Sequence, residues 1–126
     1  MTRWDWDLTS SSGAPGIARG HVRDVLEECH AAPAFIDDAV LLVSELVSNA
    51  VRHGNGDVTL SMLDVPGGWH LRVHDDAAGA PLVRAGDSSA EGGRGLVLLD
   101  ALAQDWGTDH IPADGKDVWF TLTTSP

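Results

Sequence analysis

Positive charge is scarce in this chain. Eight Lys and Arg stand against nineteen Asp and Glu, giving a formal net charge of −11 and a pI near 4.6. None of the eight falls in a run. Binding to nucleic acid or to an anionic membrane rests on clustered Lys and Arg, so neither partner is expected. Any polyphosphate ligand would have to be held mainly by backbone N–H groups and a metal ion. Cysteine is scarcer still. Cys29 is the single one, which excludes an internal disulfide. It falls in an apolar-periodic stretch and is expected to be a buried core thiol. No apolar run approaches the ~18 residues that span a bilayer. Met1 to Asp5 shows no signal-peptide pattern, so a cytoplasmic location is expected.

Several site motifs are missing as well. The sequence has no Gly-x-x-x-x-Gly-Lys-Ser/Thr, which excludes a P-loop. Gly93-x-Gly95 lacks both a third glycine and a directly preceding strand, which argues against a dinucleotide fingerprint. His70 and His74 share a strand face by parity, but no ligand set with zinc spacing accompanies them.

What is present is an ordinary globular balance: 126 residues, 43% hydrophobic and 21% charged, which suits one domain over residues 1–126. Trp4, Trp6 and Leu8 alternate with polar residues and predict a strand. Pro15 opens a helical stripe of Ile17, Val22, Val25, Leu26 and Cys29. Beyond Pro33 a stronger helix is predicted from Ala34 to Arg52. Asp57–Val65 and Trp69–Val73 read as strands joined by a turn at Pro66-Gly67-Gly68. Asp75 to Arg94 is rich in Asp, Ala, Ser and Gly and reads as a long loop, of the length usually tied to function. A helix from Leu96 to Gln104 and strands at Trp106–Ile111 and Asp117–Thr123 complete the chain. This order predicts an α+β two-layer sandwich, with a mixed, mostly antiparallel sheet and helices on one face. The five Trp residues are expected in core and sheet packing.

Three segments hold residue types suited to chemistry. Glu45, Asn49 and His53 are spaced by four and form a line along the long helix, beside the apolar face of Ile36, Val40, Val43, Val47 and Ala50. An amide oxygen there can ligate a hard cation, and a carboxylate can accept a proton. Read alone, the line is also what a solvated helix face shows. Asp75 ends a strand, followed by Gly79; a carboxylate there can accept from an amino group. Read alone, it is equally an acidic turn. Gly92-Gly93-Arg94-Gly95-Leu96 precedes an apolar helix, and free N–H groups at a helix start bind anions. Read alone, it is equally a loop closing onto a helix.

In this order, Glu-x-x-x-Asn on a helix, strand-Asp-x-x-x-Gly and Gly-x-Gly-Leu opening a helix resemble the GHKL ATPase superfamily. Ser44 to Gly54, Gly93-Arg94-Gly95-Leu96, Trp106-Gly107 and Gly115 to Trp119 resemble, more narrowly, its anti-sigma-factor serine kinase branch. The resemblance implies ATP and Mg²⁺ as cofactors, Glu45 as general base, Asn49 as Mg²⁺ ligand and His53 beside the nucleotide. It also implies Asp75 and Gly79 at the adenine, Gly92, Gly93, Arg94, Gly95 and Leu96 at the phosphates, and residues 81–92 as a lid. It implies a serine/threonine kinase that phosphorylates a STAS-type anti-sigma-factor antagonist and binds a sigma factor. A homodimer is a further expectation, with the opening strand as candidate interface. Two positions depart from the pattern. Ala77 stands where the family has a glycine, and Asp117 is read at the late threonine that supports the adenine contact. Those departures favour the alternative, a non-catalytic module that binds nucleotide weakly and sequesters its partner. Lys116 is expected at the surface, with a phosphate contact as its other reading.

Overall fold

The structure is a computed structural model that describes residues 1–8, 12–53, 57–76, 93–111 and 115–124. Its elements are β1 (Arg3–Leu8), α1 (Ala14–Glu28), α2 (Pro33–His53), β2 (Val58–Val65), β3 (Gly68–Asp75), α3 (Gly93–Leu102), β4 (Asp105–Ile111) and β5 (Gly115–Thr123). The strands form one sheet in the order β1-β2-β3-β5-β4. Every pairing among them is antiparallel. The expected α+β sandwich is thus observed, with an antiparallel rather than a mixed sheet.

Strand parity divides the sheet into two faces. Leu8, Val58, Leu60, Met62, Trp69, Leu71, Val73, Phe120 and Leu122 are buried on the inner face, toward the helices. Trp4, Trp6, Trp106 and Val118 pack partly buried against the same core. Trp4 meets Trp69 at 5.5 Å between ring centroids, and Trp6 stacks on His21 of α1 at 4.8 Å. Trp4, Trp6, Trp69 and Trp106 meet the expectation through the core, and Trp119 meets it through sheet packing. Trp119 lies on the outer face, stacked on His70 at 5.5 Å. A Cβ at Gly107 would stand 2.7 Å from the Trp119 ring, so that glycine gives the indole room to lie across β4.

The long helix α2 is the centre of the fold. Ile36, Val40, Val43, Val47 and Ala50 are buried, as the periodicity predicts. Ala39, Leu42 and Leu46 are buried too, because α2 is flanked by α1 and α3 as well as by the sheet. Truncating a fully buried Leu such as Leu42 to Ala is expected to cost about 2–5 kcal/mol. In α1 the buried stripe is Ala14, Ala18, Val22, Val25 and Leu26. Two expectations fail there. Ile17 is 54% exposed, and Cys29 is exposed rather than a core thiol. The stripe follows the small residues Ala14 and Ala18, which let α1 approach its neighbours, and α1 stops at Glu28. Cys29 is its C-cap and His30 takes a left-handed φ of 63°, turning the chain away before the thiol can enter the core.

Candidate functional site

The line of half-buried polar residues on α2 is where the sequence places it. Ser44, Glu45, Ser48 and Asn49 are each of intermediate burial. Arg19 Nη1 of α1 donates to Ser44 Oγ at 2.8 Å, which fixes the two helices against each other one residue before Glu45. Arg52 Nη2 donates to Asn49 Oδ1 at 2.5 Å. The amide oxygen of Asn49 therefore already accepts from a cation. His53 is the last residue of α2, so the line of Glu45, Asn49 and His53 runs to the end of the helix.

The glycines of the third segment lie partly inside α3, which begins at Gly93 rather than at the expected Leu96. Glycine is a poor helix former, so tertiary contact must favour it there. At Gly95 that contact is direct. A Cβ would stand 3.0 Å from Asn49 Nδ2 and 3.9 Å from Leu46 Cδ2. The missing side chain lets the start of α3 close on the polar line of α2. Backbone N–H groups in the first turn of a helix lack intrahelical acceptors, so donors gather beside Asn49. Leu96 is 8% exposed, and its side chain anchors α3 in the core. Gly93 and Arg94 form the opening of α3, whereas Gly79, Gly92, Ala77 and the stretch 81–92 lie outside the described residues.

Asp75 closes β3 on the inner face and is 3% exposed. It pairs across the sheet with Val58, the first residue of β2. Its other cross-strand neighbour is Lys116 of β5. Lys116 Nζ stands 3.8 Å from Asp75 Oδ2, with side chains 11% and 5% exposed. This overturns the expectation of a surface lysine. Lys116, Val118, Phe120 and Leu122 step by two along β5, and the last two are core residues. The same parity was readable in the sequence and is the signal that would have placed Lys116 inside. Gly115, just before it, has a φ of +94°, and a Cβ there would run into the Asp75 carbonyl oxygen. Only glycine fits a left-handed residue so close to another backbone.

Asp117 corrects a second expectation. It is 8% exposed but lies on the outer face, away from Asp75. Its Oδ2 accepts from Arg72 Nη1 at 2.5 Å, and its Oδ1 is 2.5 Å from His74 Nδ1. The other imidazole nitrogen, Nε2, is 3.0 Å from Asp76 Oδ1. A carboxylate only accepts, so both contacts are satisfied together when both ring nitrogens carry protons. Burial pulls the His74 pKa down, but the hydrogen bonds and charges of Asp117 and Asp76 outweigh it and hold it above its ordinary value. For His70 nothing offsets burial; Arg72 and Arg3 add to it, and its pKa is lowered.

The donor set fits magnesium. Among the described residues no group of three or more His, Cys, Asp and Glu is poised to hold a metal. Mg²⁺ takes few ligands from protein and fills its octahedron with water and substrate phosphates. The amide oxygen of Asn49, one helical turn from the Glu45 carboxylate, matches that habit. Among the described residues, no helix is long and apolar enough to cross a membrane.

Known proteins bear on this arrangement in three ways. The family described as Histidine kinase-like ATPase domain matches residues 14–122. A crystal structure of the RsbU and RsbW domains of Rv1364c from Mycobacterium tuberculosis superimposes with a TM-score of 0.78 at 24% identity. That similarity covers 100% of this chain and 33% of the other, so this chain spans about a third of that protein's length. No curated protein matches.

Proposed function

The chain belongs to the histidine kinase-like ATPase domain family, and from that premise we propose that it is an ATP-dependent serine/threonine protein kinase. The observation that supports this most is the closure of Gly95 onto Asn49. It sets the donor-rich start of α3 against the polar line of α2, as a site for a metal-bound polyphosphate requires.

In this reading Asp75 accepts from the adenine amino group. The first-turn N–H groups of α3, with Arg94, hold the phosphates. Asn49 Oδ1, which accepts from Arg52 here, would hold Mg²⁺, and the metal would neutralise phosphate charge. Glu45 takes the proton from a Ser or Thr hydroxyl of the protein substrate. The hydroxyl oxygen bonds to the γ-phosphorus, the bond to the β-phosphate bridging oxygen breaks, and ADP leaves. The proposed substrate is a STAS-type anti-sigma-factor antagonist, with a sigma factor held on another surface of a homodimer. The likeness to a protein with an RsbW domain supports that choice of partners. Phosphate on the antagonist would change its charge and hence its affinity for the kinase.

A second reading, a binding module without catalysis, draws support from two cations. Arg52 sits on the Asn49 oxygen, and Lys116 sits beside Asp75. Calorimetric titration with ATP, in Mg²⁺ and then in EDTA, separates the two. Micromolar, Mg²⁺-dependent binding is the expected result. No heat at millimolar ATP would overturn the kinase reading and leave the module.

A further inference from the structure

Lys116 is an unusual group to find in a core. Its side chain is 11% exposed, and the Asp75 carboxylate at 3.8 Å is its ion-pair partner among the described residues. That separation is too long for a hydrogen bond. Among the described residues Nζ has no closer acceptor, and burying an ammonium short of hydrogen bonds is costly. Strand parity forces the side chain inward, so the sheet holds a pure acceptor and a pure donor side by side at its inner edge.

We propose that Asp75 and Lys116 together read the nucleobase, and that Lys116 lets the pocket take guanine as well as adenine. This inference rests on the nucleotide site proposed above. Adenine offers an amino donor beside a ring-nitrogen acceptor, whereas guanine offers the O6 acceptor beside N–H donors. A carboxylate alone can accept from either base. Beside such a carboxylate, guanine O6 is left without a donor, and an unpaired polar group in a closed site is strongly rejected. Lys116 removes that objection. Asp75 accepts from the guanine ring N–H and amino group while the ammonium donates to O6. With adenine, Asp75 accepts from the amino group, and no bond from the ammonium is required.

The test is titration of wild type and of Lys116→Met with Mg²⁺-ATP and Mg²⁺-GTP, with thermal melting to establish that the variant folds. The wild type is expected to bind both nucleotides. Lys116→Met is expected to shift the ATP-to-GTP affinity ratio toward ATP by about tenfold, the scale of one lost hydrogen bond to a charged group. A shift smaller than about fivefold, or one toward GTP, overturns the inference while wild-type ATP binding upholds the site. If the wild type binds neither nucleotide, the proposed site and the inference fall together. Should Lys116→Met not fold, Lys116→Val removes the ammonium with a smaller side chain that carries no donor and is read by the same thresholds.

Discussion

The two faces of this sheet each bury one aspartate, and the two differ in what surrounds them. Asp75, 3% exposed, faces the helices and meets Lys116 at 3.8 Å. Asp117, 8% exposed, faces outward and meets Arg72 and His74, each at 2.5 Å. The pairs are adjacent rungs of the same β3–β5 ladder: Asp75 opposite Lys116, and His74 opposite Asp117. On the outer face the carboxylate is saturated by short, charge-assisted bonds, the strong kind. On the inner face the donor is held apart from the acceptor. The contrast teaches that burial alone does not describe a carboxylate; the cations beside it and their distances do.

The comparison can be broken in several ways. The largest effect is expected at Glu45, where Glu45→Ala should slow phosphoryl transfer by at least about 100-fold. Nucleotide affinity should survive, and radiolabel transfer to the antagonist measures the difference. Next is the contrast between the aspartates. Asp75→Asn should weaken ATP binding by about 100-fold, as an unpaired polar contact does. Asp117→Asn should leave affinity within about threefold but lower stability by roughly 1–3 kcal/mol. Equal losses of affinity in the two variants would show that the faces are coupled, and calorimetry with urea unfolding decides it. Gly115→Ala should destabilise the fold by about 1–3 kcal/mol through backbone strain at a φ of +94°, visible in a lower urea midpoint. Gly95→Ala should leave the fold intact but weaken Mg²⁺-ATP by about tenfold, because the methyl would press on Asn49 from 3.0 Å.

The smallest effect concerns pH. The folded pKa of His74 is raised above its ordinary value of 6.5, so its ion pairs add stability below that pH. That contribution is lost as pH climbs through the folded pKa. The stability difference between wild type and His74→Gln should therefore shrink on going from pH 6 to pH 8, as urea unfolding would record. A difference that grows with pH would show that the imidazole is held neutral.

Much of this was legible from local pattern. Element order followed from periodicity, since the α2 stripe and the strand alternations each bury one face. The line of Glu45, Asn49 and His53 needed only the helical repeat. The failures have separate causes. Ile17 and Cys29 lie on a plausible stripe, but the true stripe depends on which residues let α1 approach and on where the chain turns at His30. Lys116 follows a turn and Asp117 falls at a motif position, but it is the alternation of β5, with Phe120 and Leu122 in the core, that assigns them to opposite faces.

By itself the sequence determined the helices, the strands and the residues capable of chemistry, because these depend on spacings of two and of four along one segment. Only the tertiary structure decided which of those residues meet. Gly95 reaches Asn49 across two helices, and Lys116 reaches Asp75 across two strands 41 positions apart in the chain. Such contacts arise from packing and register, which no local repeat encodes.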